Sequence, residues 1–371
     1  MILRSDCRHF PGDRPCRFNK ESGQTCPDCH HYTPQGVRIL IIKLAALGDV
    51  LRTTAILPGV KEQFPDSYIV WLTLREAIPL LKENPLVDEI WSVEDDLPTR
   101  FDTEAFDVVL NPDADKRAAG LASKAKAPEK RGLLLDIRGC LRPTGPGAAT
   151  WLEMGAFDQF KKANNRTYQE LIYEMLELPY GRQPLVLRLS EEEREEARTF
   201  LAQQGWQAND RLVGLNVGGG GRWKKKRWKE ASFLELARRL ADELGVRPLL
   251  IGGAAEQDFM LRLQQALPVG GVCAGPNRSL RQTAALIGCC RALVTGDTLA
   301  FHLATAQQVP VIVLLGPTSA AELDVYGRGA KIVSPISCIG CYLTDCDIDP
   351  DCMQLISASH VFEAVKPFVT G

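Results

Sequence analysis

Residues 37–64, VRILIIKLAALGDVLRTTAILPGVKEQF, change their hydrophobic pattern halfway along. The first seven, VRILIIK (37–43), are almost wholly apolar and rich in branched side chains, the pattern of a short strand buried on both faces. The last ten, AILPGVKEQF, carry an apolar stripe at helical spacing. Gly48 and Asp49 stand at the hand-over. A second strand pattern follows at once, YIVWLTL (68–74). Strand, helix, strand in this order predicts parallel strands with a helix crossing over one face.

Outward from this unit the alternation continues. AIPLLKENP predicts a helix stopped near Pro85, and DEIWSV and FDVVLN predict strands. Residues 137–166 are rich in Gly and Pro and are expected to be irregular. TYQELIYEMLEL predicts a helix, and PYGRQPLVLRL (179–189), with two prolines and no helical period, is expected to be a linker. Ser190 and Glu193 form a capping-box pattern opening the next helix. A second alternation has strands at 211–217, 246–252, 292–296, 309–316 and 330–334, with helices at 230–244, 255–266, 279–288 and 298–306. The expected fold class is α/β: two halves of similar size, each with a parallel sheet, facing each other across a cleft. The expected divisions are a cysteine-rich extension (1–36), a first domain (37–180), a second domain (181–356) and a closing helix (357–371).

The chain has 371 residues, 45% hydrophobic and 24% charged, with a net charge of −2. That balance suits a globular protein and argues against a nucleic-acid partner. The first residues lack the apolar core of a signal peptide, and no window nears eighteen apolar residues. A cytoplasmic location is expected, compatible with peripheral contact at the inner membrane.

Four stretches carry candidate chemistry. Asp49, after Gly48, is either a helix cap or a general base. NVGGGGRWKKKRWKE (216–230) offers the amides of Gly219 and Gly220 and the cation of Lys226 to an anion, without the Gly-Lys-Ser/Thr triplet of a Walker loop. IGGAAEQD (251–258) places Glu256 in a first helical turn, as a dipole partner or a ligand for a ribose hydroxyl. VTGDTLAFHLA (294–304) starts a helix at Asp297 and Thr298, whose free N–H groups suit a pyrophosphate. His302, one turn further, is expected to be a packed residue. NPDAD (111–115) is a weak metal-clamp pattern. Residues 116–131 are basic, either as an ordinary helix surface or as a contact for an acidic acceptor.

Of the twelve cysteines, eight cluster toward the two ends, and only Cys140, Cys273, Cys289 and Cys290 lie between. Cys338, Cys341, Cys346 and Cys352 follow C-x2-C-x4-C-x5-C, and Cys7, Cys16, Cys26 and Cys29 end in C-x2-C. Both sets are expected to hold a structural zinc or iron ion.

In order and spacing, ILIIKLAALGDVLRTTAILPGVK, GRWKKKRWKEASF, LIGGAAEQD and VTGDTLAFHLATAQQVPVIVLLGPT resemble glycosyltransferase family 9, the ADP-heptose:lipopolysaccharide heptosyltransferases. The resemblance covers about residues 37–370. It implies a GT-B fold, two Rossmann-like domains with the nucleotide sugar held mainly by the C-terminal one, and an inverting transfer from that nucleotide sugar, ADP-heptose first, with no catalytic divalent metal. The acceptor would be a hydroxyl on a glycolipid or protein. It also implies that Asp49 is the base, that Lys226 neutralises phosphate, and that Glu256, Asp297 and Thr298 hold the donor. Two other readings stand beside it: transfer of a different nucleotide-activated sugar, or a non-catalytic metal-binding or redox module on the same scaffold.

Overall fold

Strand β1 (Arg38–Ile42) forms where four consecutive apolar residues, Ile39 to Ile42, can lose all contact with water. A strand covered on both faces has no use for alternating polar residues. The structure, a computed structural model, describes residues 2–219 and 226–370. Two units organise them. The first comprises Met1–Ala46, Ala55–Ala156 and Glu170–Gln183. The second comprises Leu47–Thr54, Phe157–Gln169 and Pro184–Gly371.

In the first unit β1 is joined by β2 (Tyr68–Thr73), β3 (Glu89–Ser92), β4 (Val108–Asn111), β5 (Glu129–Leu135) and β6 (Leu141–Pro143). Their order is β3-β2-β1-β4-β5-β6, all parallel except β6, which runs antiparallel to β5. The helix Lys116–Lys124 starts where Asp115 accepts the N–H groups of Arg117 and Ala118, at 2.8 and 3.2 Å. One core of this unit gathers Trp91, Phe101 and Phe106 with Leu40 and Ile42 of β1, Val70 and Leu72 of β2 and Val109 of β4.

The irregular segment expected at 137–166 is ordered instead. It contains β6 and the helices Pro146–Ala156 and Asp158–Ala163. Proline is tolerated in a first helical turn, where its missing N–H has no partner to lose. Gly147 is required there by close packing: an added Cβ would lie 2.5 Å from the backbone of Glu174. The glycine and proline that suggest a loop are thus serving a helix start.

The second unit holds β7 (Leu212–Asn216), β8 (Arg247–Ile251), β9 (Val272–Cys273), β10 (Ala292–Gly296), β11 (Val311–Leu315) and β12 (Gly329–Val333). The order is β12-β11-β10-β7-β8-β9, and every pairing is parallel. Both sheets therefore share the Rossmann order, with one reversal at the centre. The Ser190–Glu193 capping box forms as expected, and Glu193 is also held by Arg281 Nη2 at 2.6 Å. Among the described residues no helix is long and apolar enough to cross a membrane.

Candidate active site

In the second sheet β7 and β10 are neighbours, yet the chain leaves them toward opposite edges. Loops diverge at such a reversal and leave a crevice at the strand ends. Asn216, the last residue of β7, is buried there. Its amide donates to the hydroxyls of Thr295 at 2.9 Å and Thr298 at 3.1 Å. Thr298 in turn caps the helix Leu299–Ala306 by accepting the N–H of Ala300 at 3.3 Å. A buried polar chain thus fixes the helix start beside the crevice.

Lys226 and Asp297 meet at this point. The ammonium lies 2.9 Å from Asp297 Oδ2 and 3.3 Å from its carbonyl. Burial works to raise the Asp297 carboxyl, but Lys226 more than offsets it and holds it below the usual carboxylate range. Gly296 permits the approach, since a Cβ there would sit 3.2 Å from the Lys226 carbonyl. Gly219 lies against Arg227, with 3.3 Å left for a Cβ. Gly220, with 221–225, lies outside the described residues. Glu256 is buried; its carboxylate accepts the N–H of Gly253 at 3.1 Å and pairs with Arg227 at 3.2 Å.

Asp49 joins the same unit through the helix Leu47–Thr53, which packs on the helix Leu299–Ala306. Its carboxylate is 36% exposed and pairs with Arg52, one turn along, at 2.8 Å. Arg52 lies over the ring of Tyr168 at 3.6 Å. Burial opposes the Arg52 charge, yet Asp49 and Tyr168 raise its pKa above the ordinary value. The Tyr168 hydroxyl meets Thr53 at 2.7 Å. The glycine before Asp49 makes room for a ring: a Cβ on Gly48 would be 2.9 Å from Cδ2 of His302.

Two expectations follow here. Gly48→Ala gains about 1 kcal/mol of helix propensity but meets an imidazole held in a packed interior, a clash worth about 1–3 kcal/mol. Net destabilisation by denaturant titration is expected, shrinking in a His302→Ala background; equal effects in both backgrounds would refute the contact. The second concerns acid. His302 is buried, and its Nδ1 finds no hydrogen-bond partner among the described residues. Burial and the Arg52 charge lower its pKa from 6.5 to about 4, against the raising pull of Asp297 and Asp49. The unfolded chain then takes up the proton first as pH falls. Stability should be unaffected by this residue above about 6.5 and erode between 6.5 and about 4, by up to roughly 3 kcal/mol. His302→Gln should flatten the pH dependence of the unfolding midpoint in that window.

The remaining candidates lie elsewhere. Asp113 of NPDAD is buried in the first unit, 3.2 Å from Lys43 Nζ and accepting the N–H of Leu44 at 2.9 Å, so it ties down the end of β1. Among the basic residues of 116–131, Lys130 donates to the Ser123 carbonyl at 2.7 Å and Arg131 to the carbonyls of Leu176 and Glu177, at 3.1 and 3.0 Å. These cations serve local structure.

All twelve cysteines are free thiols. Among the described residues no three His, Cys, Asp or Glu side chains converge closely enough to hold a metal ion. Cys352 belongs to the hydrophobic core of the second unit, with its Sγ 2.5 Å from where a Cβ on Gly316 would be. Burial, Asp351 and the nearby Cys341 and Cys346 push its thiol up to about 11. The set Cys338, Cys341, Cys346 and Cys352 does not fit a single ion as arranged.

Arg52, Asn216 and Tyr168 are site residues that motif reasoning passes over. Arg52 carries a local signal, a cation three residues after the Asp in a helical pattern. Tyr168 carries none, because more than a hundred residues separate it from the ring's partners Arg52 and Thr53.

The comparisons with known proteins bear on the family and the fold. The model of the family "Glycosyltransferase family 9 (heptosyltransferase)" matches residues 97–348. Lipopolysaccharide heptosyltransferase 1 of Pseudomonas aeruginosa is 35% identical over 129 residues, 34% of this chain and 36% of that protein. Lipopolysaccharide heptosyltransferase 2 of Escherichia coli is 23% identical over 327 residues, 81% of this chain and 89% of that one. The solved family 9 glycosyltransferase of Veillonella parvula superimposes with a TM-score of 0.74 at 21% identity, covering 90% of this chain and 97% of the other. With a GT-B pair of Rossmann-like units and a family match over most of its length, the chain belongs to glycosyltransferase family 9, the heptosyltransferases, and is a glycosyltransferase.

Proposed function

We propose that this enzyme transfers a heptose from ADP-heptose to a hydroxyl of a lipopolysaccharide-type acceptor, with inversion at the anomeric carbon. One observation supports the reading: the helix that carries Asp49 packs, at Gly48, against His302 of the helix Leu299–Ala306, whose start is flanked by the Lys226–Asp297 pair. This reading sets a carboxylate and a cation at the start of the helix Leu299–Ala306, the cation held by Asp297 at 2.9 Å.

Asp49 takes the proton of the acceptor hydroxyl as its oxygen bonds to the anomeric carbon. The bond from that carbon to the diphosphate oxygen breaks, and ADP departs with the electron pair. Lys226 and the N–H groups at the start of the helix Leu299–Ala306 stabilise the charge that builds on the diphosphate. Charge compensation in this scheme comes from Lys226 and not from a divalent cation. Glu256, anchored by Gly253 and Arg227, is the ligand for the donor's ribose. An acceptor of this class is a glycolipid, so the reading includes peripheral contact with the inner membrane.

A donor screen tests it. Purified enzyme with ADP-heptose and a heptose-deficient lipopolysaccharide core should show transfer that persists in a chelator. Transfer from UDP- or GDP-sugars with none from ADP-heptose would replace the donor assignment and favour another nucleotide sugar.

A further inference from the structure

The first 36 residues hold together without a core. Among the described residues of this segment only Cys7 is buried. Its regular structure is the six-residue helix Arg17–Ser22, the short turn Cys26–Asp28 and one bridge between Cys7 and Pro34. The helix buries no side chain. Arg8 ties the segment to the first unit, reaching the Ser67 carbonyl at 2.7 Å and Asp88 at 3.3 Å. A segment this short cannot offset its conformational entropy by apolar burial and needs a crosslink.

In place of a core there is a cavity of about 480 Å³, and all four cysteines of the segment line it. They arrive from separate places: Cys7 from the bridge, Cys16 from the position before the helix, Cys26 and Cys29 from the two ends of the turn. Cys29 N–H bonds to the Cys26 carbonyl at 3.3 Å, and both residues border the cavity. Phe18 also lines it, stacked on His31 with 3.8 Å between ring centres.

Size and spacing decide what the cavity suits. A zinc ion at 2.3 Å from each sulfur would draw the four thiolates to roughly 3.8 Å of one another. Among the described residues no three donor side chains could hold one ion, and one ion would leave most of the space unfilled. A group with its own inorganic sulfide spreads its cysteine ligands wider and occupies the volume between them. Four thiolates also leave such a group with net negative charge, and Arg4 and Arg14 stand on the cavity wall. The C-terminal cysteines differ. A cavity of about 210 Å³ passes near them, bordered by Ile339, Gly340 and Tyr342, but none of the four lines it.

We propose that Cys7, Cys16, Cys26 and Cys29 ligate an iron–sulfur cluster seated in this cavity, and that the cluster is what folds the N-terminal segment. The full chain purified without oxygen should contain about two to four irons with equal acid-labile sulfide, and should show visible sulfur-to-iron absorption. If it is isolated without metal, ferrous iron and sulfide added under reducing conditions should restore both signals. Cys26→Ser/Cys29→Ser should lose them and become open to protease within residues 8–35, with the main thermal unfolding transition retained. Cys338→Ser/Cys341→Ser should keep them. Zinc without sulfide, no uptake on reconstitution, or a signal lost only in the C-terminal variant would each overturn the proposal. The iron and sulfide content of the unaltered chain decides even if a variant fails to fold.

Discussion

Asp49→Asn is expected to lower kcat for heptosyl transfer by about 10²–10⁴-fold, the usual contribution of a positioned general base, with donor binding largely intact. Asparagine keeps the shape of the side chain and can still meet Arg52, which now sits 2.8 Å from the carboxylate, but it cannot take a proton. Wild-type enzyme should show an acid limb in its pH–rate profile that the variant lacks. A competing account makes Asp49 only an anchor for Arg52. Arg52→Lys separates the two: it keeps a cation beside the carboxylate while giving up the guanidinium over Tyr168. If Asp49 is the base, Arg52→Lys should be much the milder change. Near-normal turnover by Asp49→Asn would remove the assignment.

Lys226→Met is expected to be the second severe change. Removing a cation aimed at a leaving group typically costs about 10²–10³-fold in kcat. Here the loss has a second part, because the departing ammonium leaves Asp297 Oδ2, 2.9 Å away, without its counter-charge. That carboxylate would then repel a bound diphosphate. Breaking a buried pair from one side is also more disruptive than removing both partners. The double variant Lys226→Met/Asp297→Asn should therefore bind ADP more tightly than Lys226→Met alone, though neither regains full turnover. Calorimetric titration with ADP measures the difference. Equal affinities for the two variants would mean that Asp297 faces away from the phosphates.

The strands of both sheets were legible because burial on two faces leaves unbroken apolar runs such as Ile39–Ile42 and Val311–Leu315. Strand β5, EKRGLLL, was not, because its first half is edge-like and charged and only its second half is buried. Strands β6 and β9 are three and two residues long, too short for any period to register. Within the site, Lys226, Asp297, Thr298 and Glu256 were visible because each lies beside a glycine turn that ends a strand. Their pairing was not. Nothing along the chain says that Lys226 spends its charge on Asp297, or that Gly48 makes way for His302. The first relation comes from the sheet order, which sets the ends of β7 and β10 side by side; the second comes from the helix Leu47–Thr53 packing on the helix Leu299–Ala306. The placement of Leu47–Thr54 with the second unit is of the same kind, since its neighbours in sequence belong to the first.

The reversal between β7 and β10 has a consequence for how this protein tolerates change. The strands contribute grease and direction, while a handful of polar atoms at their last residues and in the turns just beyond shape the proposed donor site. Random substitution should then produce a two-speed map. Swaps among Val, Ile and Leu inside the sheets would each cost about 1 kcal/mol of stability and leave turnover largely in place, whereas single-atom edits at Asn216, Thr295 or Thr298 would register in turnover at once.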